Sequence, residues 1–292
     1  MSLKRLHKGG AIRNVSAMPE RKNIDIATVE GFGREWGHYD QSRLDDAEAE
    51  KIFESYFGLF DFTDLGEGFD LGCGSGRWAR FAAPRVRKLH CIDPSDAIDI
   101  ARRNLAGHTN VEFHRASADE IPLADGSQDF GYCLGVLHHI PDVERALGIA
   151  VRKLKPGAQM LVYIYYSLDN RGPMYRATWR ASDAVRRLVS RLPFPVRRGV
   201  TELLAAGVYW PLARCARLVE RLGADPSQIP LSAYRSKSYY TMRTDALDRF
   251  GTRLEQRFSR REIEQMMKRS GLDQIRFSES EPYWVAIGRR VG

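Results

Sequence analysis

A carboxylate and three alternating glycines fall within seven residues in Asp70-Leu71-Gly72-Cys73-Gly74-Ser75-Gly76. Glycines let the main chain turn sharply and let a ligand lie against it. A helix that begins after such a turn offers unpaired N–H groups to the ligand. The turn alone is ambiguous, because Gly74-Ser75-Gly76-Arg77-Trp78-Ala79 also fits the dinucleotide pattern G-x-G-x-x-A. Asp70 bears on the choice: a carboxylate directly before the turn repels a pyrophosphate and attracts an ammonium group. Asp93 ends Leu89-His90-Cys91-Ile92-Asp93, where an acid can accept from both hydroxyls of a ribose. Asp119, within Ala118-Asp119-Glu120-Ile121-Pro122-Leu123, is placed to accept from an adenine amino group. Ammonium, ribose and adenine together describe S-adenosylmethionine.

The methyl group of that molecule sits on a sulfonium, so the leaving group is already good. What remains for a protein is to align a nucleophile and exclude water. A hydroxyl or activated-carbon acceptor also gains from a general base. His138 and His139 follow the fourth strand-like run, and a neutral imidazole there can take a proton near pH 7. The competing reading is a helix cap or packing below the cofactor. Tyr163, Tyr165 and Tyr166 close the fifth strand as pocket lining or as core. Trp36 and Tyr39 lie in an aromatic segment that either covers a sulfonium through cation–π attraction or packs on the sheet edge.

Positioning these groups requires an ordered alternation. Strand-like runs occupy 68–71, 88–92, 111–114, 130–136 and 160–166, with helical stretches at 77–85, 96–105 and 142–154 between them. Such alternation predicts βαβ units, a parallel sheet and right-handed crossovers. Lys155-Pro156-Gly157 is expected to stop the last helix and turn into the fifth strand. A further helix is expected over 45–60. After Tyr166 two helices are predicted, 175–192 and 197–222, kinked by Pro211. Order then resumes at Ser259-Arg260-Arg261-Glu262, which fits a capping box. A helix and a closing hairpin, 273–278 and 283–288, complete the chain.

The balance of 43% hydrophobic and 28% charged residues is that of a soluble globular protein. Apolar runs are too short to span a bilayer, and the basic start is not followed by an apolar segment. A mitochondrial presequence is the alternative, since no acid precedes Glu20. Cys73, Cys91, Cys133 and Cys215 form no CxxC pair, so no metal site is expected and a reducing, cytoplasmic setting is. The net charge of +8 concentrates near the start and between Arg171 and Arg243. It fits anionic lipid, an acidic substrate or a merely solvated surface. Nucleic acid is not expected, because aromatics are not interleaved with the basic tail.

The segments around Asp70, Asp93 and Asp119, with Leu134-Gly135-Val136-Leu137-His138-His139-Ile140 and Leu154-Lys155-Pro156-Gly157, resemble a class I S-adenosylmethionine-dependent methyltransferase, of the broad group that includes ubiquinone and menaquinone biosynthesis methyltransferases. The resemblance covers about residues 65–166. It implies an α/β fold with a Rossmann-like seven-stranded, mostly parallel sheet, a C-terminal antiparallel hairpin and a helical insertion after the fifth strand. The implied organisation is a basic tail (1–23), cap helices (24–64), the cofactor core (65–166), a helical lid (167–243), and a helix and hairpin completing the core (244–292). By the same resemblance Asp70 faces the methionine ammonium, and Gly72, Cys73 and Gly74 give the backbone room. Asp93 holds the ribose over a turn shaped by Pro94 and Ser95. Ala118 and Asp119 read adenine, and Leu134 and Gly135 pass the methionine. The acceptor is expected to be small and apolar or lipid-like, methylated on O or C. Residues 197–222 are either a peripheral membrane contact or a dimer interface. An NAD-linked oxidoreductase and a non-catalytic S-adenosylmethionine-binding protein stand as alternatives.

Overall fold

The computed structural model describes residues 22–41, 43–227 and 229–292. The expected basic tail lies outside these residues except at Lys22 and Asn23. Asn23 is buried: its side chain donates to the Asp142 carbonyl at 2.7 Å and accepts from the Asp142 amide at 2.7 Å. Two helices follow, α1 (Ile26–His38) and α2 (Asp46–Phe57). The aromatic segment that holds Trp36 and Tyr39 is helical through His38. Asp25 and Asp45 cap the two helices through their side chains.

The core alternates β1 (Glu67–Leu71), α3 (Ala79–Ala82), β2 (Lys88–Ile92), α4 (Ala97–Asn104), β3 (Val111–His114), β4 (Gln128–Leu134), α5 (Val143–Lys153) and β5 (Leu154–Tyr163). The insertion holds α6 (Pro173–Val189), α7 (Phe194–Leu204), α8 (Trp210–Arg221) and α9 (Tyr239–Gly251). α10 (Arg260–Arg269), β6 (Leu272–Phe277) and β7 (Val285–Arg290) finish the chain. The seven strands run in the order β3-β2-β1-β4-β5-β7-β6; β1 to β5 are parallel and β7 is antiparallel to both neighbours. Strand order reverses between β1 and β4, and in such sheets ligands bind in the crevice outside that switch point.

Apolar side chains fill both faces of the sheet. One face packs Phe69, Ile92, Leu147, Met160 and Met267 under α5 and α10. The other packs Phe53, Phe57, Leu89, Ile98 and Tyr132 under α2, α3 and α4. At the centre, β1 and β4 approach through matched glycine–phenylalanine pairs, Gly68 opposite Phe130 and Phe69 opposite Gly131. Each ring lies where a Cβ on the facing glycine would be.

Four local readings change. Lys155-Pro156-Gly157 does not separate helix from strand: β5 begins at Leu154, pairs with Gln128, and the register shifts before resuming at Phe130 with Gln159. The helix after the glycine turn is shorter than expected, four residues of α3 and one turn of 3-10 helix. The irregularity expected at Pro211 lies just before it: the helical backbone continues from α7 through a π-type turn over Ala205–Tyr209 into α8, and that turn accommodates the missing Pro211 N–H. α9 was not anticipated, and it crosses the expected boundary at 243/244. Its signal was Ser238, whose side chain caps it, with Met242, Ala246 and Phe250 buried at helical spacing.

Replacing Gly68 by Ala tests the central packing. The new methyl would stand 2.5 Å from the Phe130 ring. Overpacking of this kind costs about 1–3 kcal/mol. The expected outcome is a lower urea midpoint with an unchanged slope.

Candidate cofactor and acceptor site

The carboxyl ends of β1, β2, β4 and β5 open into a cavity of about 1150 Å³. One end is built from the glycine turn. Gly72, Gly74 and Gly76 have φ of +79°, +54° and +78°, conformations that only glycine takes freely. Asp93 fastens this turn to β2. Its Oδ2 accepts from the Gly74 amide at 2.9 Å, and its Oδ1 accepts from the Ser95 amide at 2.9 Å and the Ser95 hydroxyl at 2.6 Å. Burial raises the Asp93 carboxyl above its ordinary pKa, against the pull of these hydrogen bonds. Trp36 of α1 lies across the turn, with its Nε1 3.1 Å from where a Gly74 Cβ would stand.

The expected site residues divide. Gly72, Cys73, Gly74, Asp93, Pro94, Ser95, Ala118, Leu134, Gly135 and His139 line the cavity. Asp70, Asp119 and His138 lie outside its lining. Asp70 is buried behind the turn, where desolvation holds its carboxyl well above the usual carboxylate range; its Oδ2 has no hydrogen-bond partner. Asp119 spends Oδ2 on the Asn23 amide at 2.9 Å and pairs with Arg145 at 3.3 Å, while its buried Oδ1 has no partner.

The two histidines also part. His138 is fully buried, accepts from the Tyr165 amide through Nδ1 at 3.3 Å and stacks on the Tyr165 ring. His139 points Nδ1 at the Leu254 carbonyl, 2.6 Å away, so Nδ1 carries the hydrogen and Nε2 keeps its lone pair. Burial pushes the His139 pKa down to about 4 and holds the His138 imidazole well below its ordinary range. Both rings are neutral near pH 7, and a base that weak is poorly matched to a phenol or an alcohol.

The other end of the cavity carries groups that the sequence reading missed. α9 directs Asp245 and Asp248, one turn apart, into the space. Asp248 Oδ2 accepts from the Tyr165 hydroxyl at 2.8 Å. Burial, with the nearby Asp245 and Glu255 charges, raises the Asp248 pKa to about 7. Arg257 lies over the rings of Tyr165 and Trp179 at 5.1 and 4.7 Å. Tyr56, Tyr163, Tyr209 and Tyr234 complete an aromatic wall. Asp245, Asp248 and Tyr234 carry no sequence signal because α9 and the loop before it have no assigned place in the fold, whereas Tyr163 and Tyr165 take the pocket-lining option the sequence offers.

The glycine cradle suits S-adenosylmethionine on structural grounds. Gly135, at φ +79°, has open space where its Cβ would be, and the buried Ser75 hydroxyl has no partner. Asp93 retains acceptor capacity beside them.

Comparison with known proteins bears on the same region. Residues 69–162 match the methyltransferase domain family. Ubiquinone biosynthesis O-methyltransferase of Hahella chejuensis is 31% identical over 163 residues, covering 52% of this chain and 65% of that protein. Sterol 24-C-methyltransferase of Yarrowia lipolytica is 24% identical over 204 residues, covering 53% and 54%. The chain thus spans less than two thirds of either relative's length. An O-methyltransferase family protein of Burkholderia thailandensis aligns with a TM-score of 0.50 at 15% identity, covering 84% of this chain and 56% of that one, which shows a shared fold. The fold is therefore the Rossmann-like methyltransferase fold. Within it, residues 69–162 match a methyltransferase domain, which favours the S-adenosylmethionine reading of the glycine turn over the dinucleotide one.

Replacing Asp93 by Ala removes the turn's fastening and the expected ribose acceptor together. Charged hydrogen bonds are worth about 1.5–3 kcal/mol each. Calorimetry with S-adenosylhomocysteine should show affinity at least about tenfold weaker than for the unaltered protein.

Proposed function

We propose that the protein transfers a methyl group from S-adenosylmethionine to a hydroxyl oxygen of a small, ring-bearing, amphiphilic acceptor. The observation that carries this reading is Asp248: a partly buried carboxylate in the cavity wall, with a pKa near 7 and a tyrosine to orient it. When bound, the cofactor supplies an electrophilic methyl on a sulfonium. Asp93 and the glycine turn hold its ribose, Ala118 lies along the adenine side, and Leu134 with Gly135 borders the methionine. Asp70 acts from behind the turn, through water or directly, and an arriving ammonium favours its charged form. Asp248 takes the proton of the acceptor hydroxyl, and Tyr165 fixes the carboxylate's orientation. The tyrosine wall and Arg257 grip the acceptor ring, while Trp36 and the insertion keep water out.

The insertion also explains how an apolar acceptor reaches the site. The larger apolar residues of α7 and α8 divide between the insertion's core, where Val200 and Leu204 pack, and the solvent face. Ala205, Tyr209, Ala213 and Ala216 pack inward, whereas Leu203 and Leu222 are 74% and 75% exposed. Arg198, Arg217 and Arg221 border this outer face, and Val208, Leu212 and Arg217 also line the cavity. Among the described residues no helix is long and apolar enough to cross a membrane. The face suits peripheral contact with an anionic bilayer, from which the acceptor would enter.

Three experiments test these readings. Labelled S-adenosylmethionine with a panel of phenolic and alcoholic acceptors should yield O-methylated products by mass spectrometry; N- or C-methylated products alone would sink the oxygen assignment. Below pH 7 Asp248 is protonated and cannot accept, so kcat/KM should rise with pH and level off above about 7. In Asp248→Asn kcat should fall about 100-fold or more with that limb lost. The double change Leu203→Asp and Leu222→Asp should abolish co-sedimentation with phosphatidylserine vesicles. A dimer of the unaltered protein, dissolved by the same change, would instead mark the face as a subunit contact.

A further inference from the structure

Away from the cavity, the outer edge of the sheet gathers His90, Glu112 and His114 on β2 and β3. Parallel pairing sets His90 beside Glu112 and Ile92 beside His114, so the three side chains share one face. His90 Nδ1 lies 2.9 Å from His114 Nε2 and 3.3 Å from Glu112 Oε2, and His114 Nε2 lies 3.9 Å from the same oxygen. The three atoms form a triangle with a mean edge near that of a tetrahedral zinc site. There, ligand atoms about 2.0–2.1 Å from the metal stand roughly 3.3–3.4 Å apart.

The surrounding groups prepare these atoms. His90 is buried, and its Nε2 donates to Glu67 Oε1 at 2.6 Å. That bond leaves the Nδ1 lone pair directed at the triangle, the carboxylate–histidine arrangement common behind metal ligands. Lys88 holds Glu112 Oε1 at 2.8 Å and leaves Oε2 for the triangle. With neutral imidazoles, the two carboxylates and Lys88 sum to one negative charge, which favours a divalent cation. Glu112 is exposed, so a fourth position opens to water.

We propose that His90, Glu112 and His114 bind a borderline divalent transition metal of the zinc type, with water as the fourth ligand. Two imidazoles and one carboxylate suit zinc or cobalt and not magnesium or calcium, which prefer all-oxygen sites. The metal clips the edge strand β3, which pairs with β2 alone, to the sheet. Its effect reaches the cofactor end of the cavity: the His114 carbonyl accepts from the Asp93 amide at 3.1 Å, and the loop after β3 supplies Ser117 and Ala118 to the cavity lining. The absence of a CxxC pair gave no hint of this site. Its trace in the sequence is Glu112-x-His114 with a histidine on the preceding strand.

The test uses untagged, full-length protein stripped with chelator and titrated with cobalt(II) and with zinc(II). Expected are one cobalt ion per chain with the intense visible absorption of a four-coordinate site, displacement of that cobalt by zinc, and a zinc-dependent rise in melting temperature. Glu112→Gln and His114→Ala alter exposed or half-buried positions and should fold. Each should weaken metal binding roughly tenfold or more and remove the thermal shift. His108→Ala, outside the cluster, should bind as the unaltered protein does. Failure to take up metal saturably, or equal uptake in His114→Ala, would overturn the proposal.

Discussion

The contact on which the site depends is the grip of Asp93 on the glycine turn. One oxygen holds the Gly74 amide and the other holds Ser95 at its amide and hydroxyl. A buried carboxylate is costly unless its lone pairs are met, and here each oxygen is met by the segment it organises. The bonds join the turn after β1 to the turn after β2. They hold the backbone open where a cofactor would lie and fix the direction in which α4 leaves. The Gly72 and Cys73 amides, which both donate to the Ile92 carbonyl, extend the same seam down the strands.

Around that seam the protein separates two tasks. The sheet and its short loops make a rigid cradle, packed on both faces and met at the centre by interlocked glycine and phenylalanine pairs. The far end of the cavity adds, to Tyr163 of β5, elements that the parallel sheet does not supply: α6, α8, α9 and the loop before α9. Chemistry that differs among proteins sharing one fold belongs on such additions. In α9 the buried face packs Met242, Ala246 and Phe250 against the insertion's own core, and the face turned to the cavity carries Asp245 and Asp248. One helix thus stabilises the insertion and places a carboxylate with a tuned pKa.

The insertion also inverts the usual relation between size and burial. Ala205 lets the π-type turn sit close to α9, while Leu203 of α7 and Leu218 of α8 face outward among arginines. Close approach favours alanine at the contact, and the larger apolar groups gain burial only against something else, a bilayer or another chain.

The sequence by itself determined the sheet, its chain order and the cofactor cradle. Those depend on local signals: strand-length apolar runs, helix starts, glycines that permit positive φ, and acids at strand ends. It also located Asp93, Ser95, Gly135 and His139, because a residue next to a strand's carboxyl end must lie near the switch point. Tertiary structure decided what depends on contacts far apart in the chain. It set Asp70 behind the turn and turned Asp119 towards Asn23. It separated His138 from His139 although they are adjacent, since one ring stacks under Tyr165 and the other reaches the cavity. It brought Asp248 to Tyr165 across 83 residues and chose which face of α8 is buried. Periodicity shows that a helix has faces; only its packing partner decides which of them is covered.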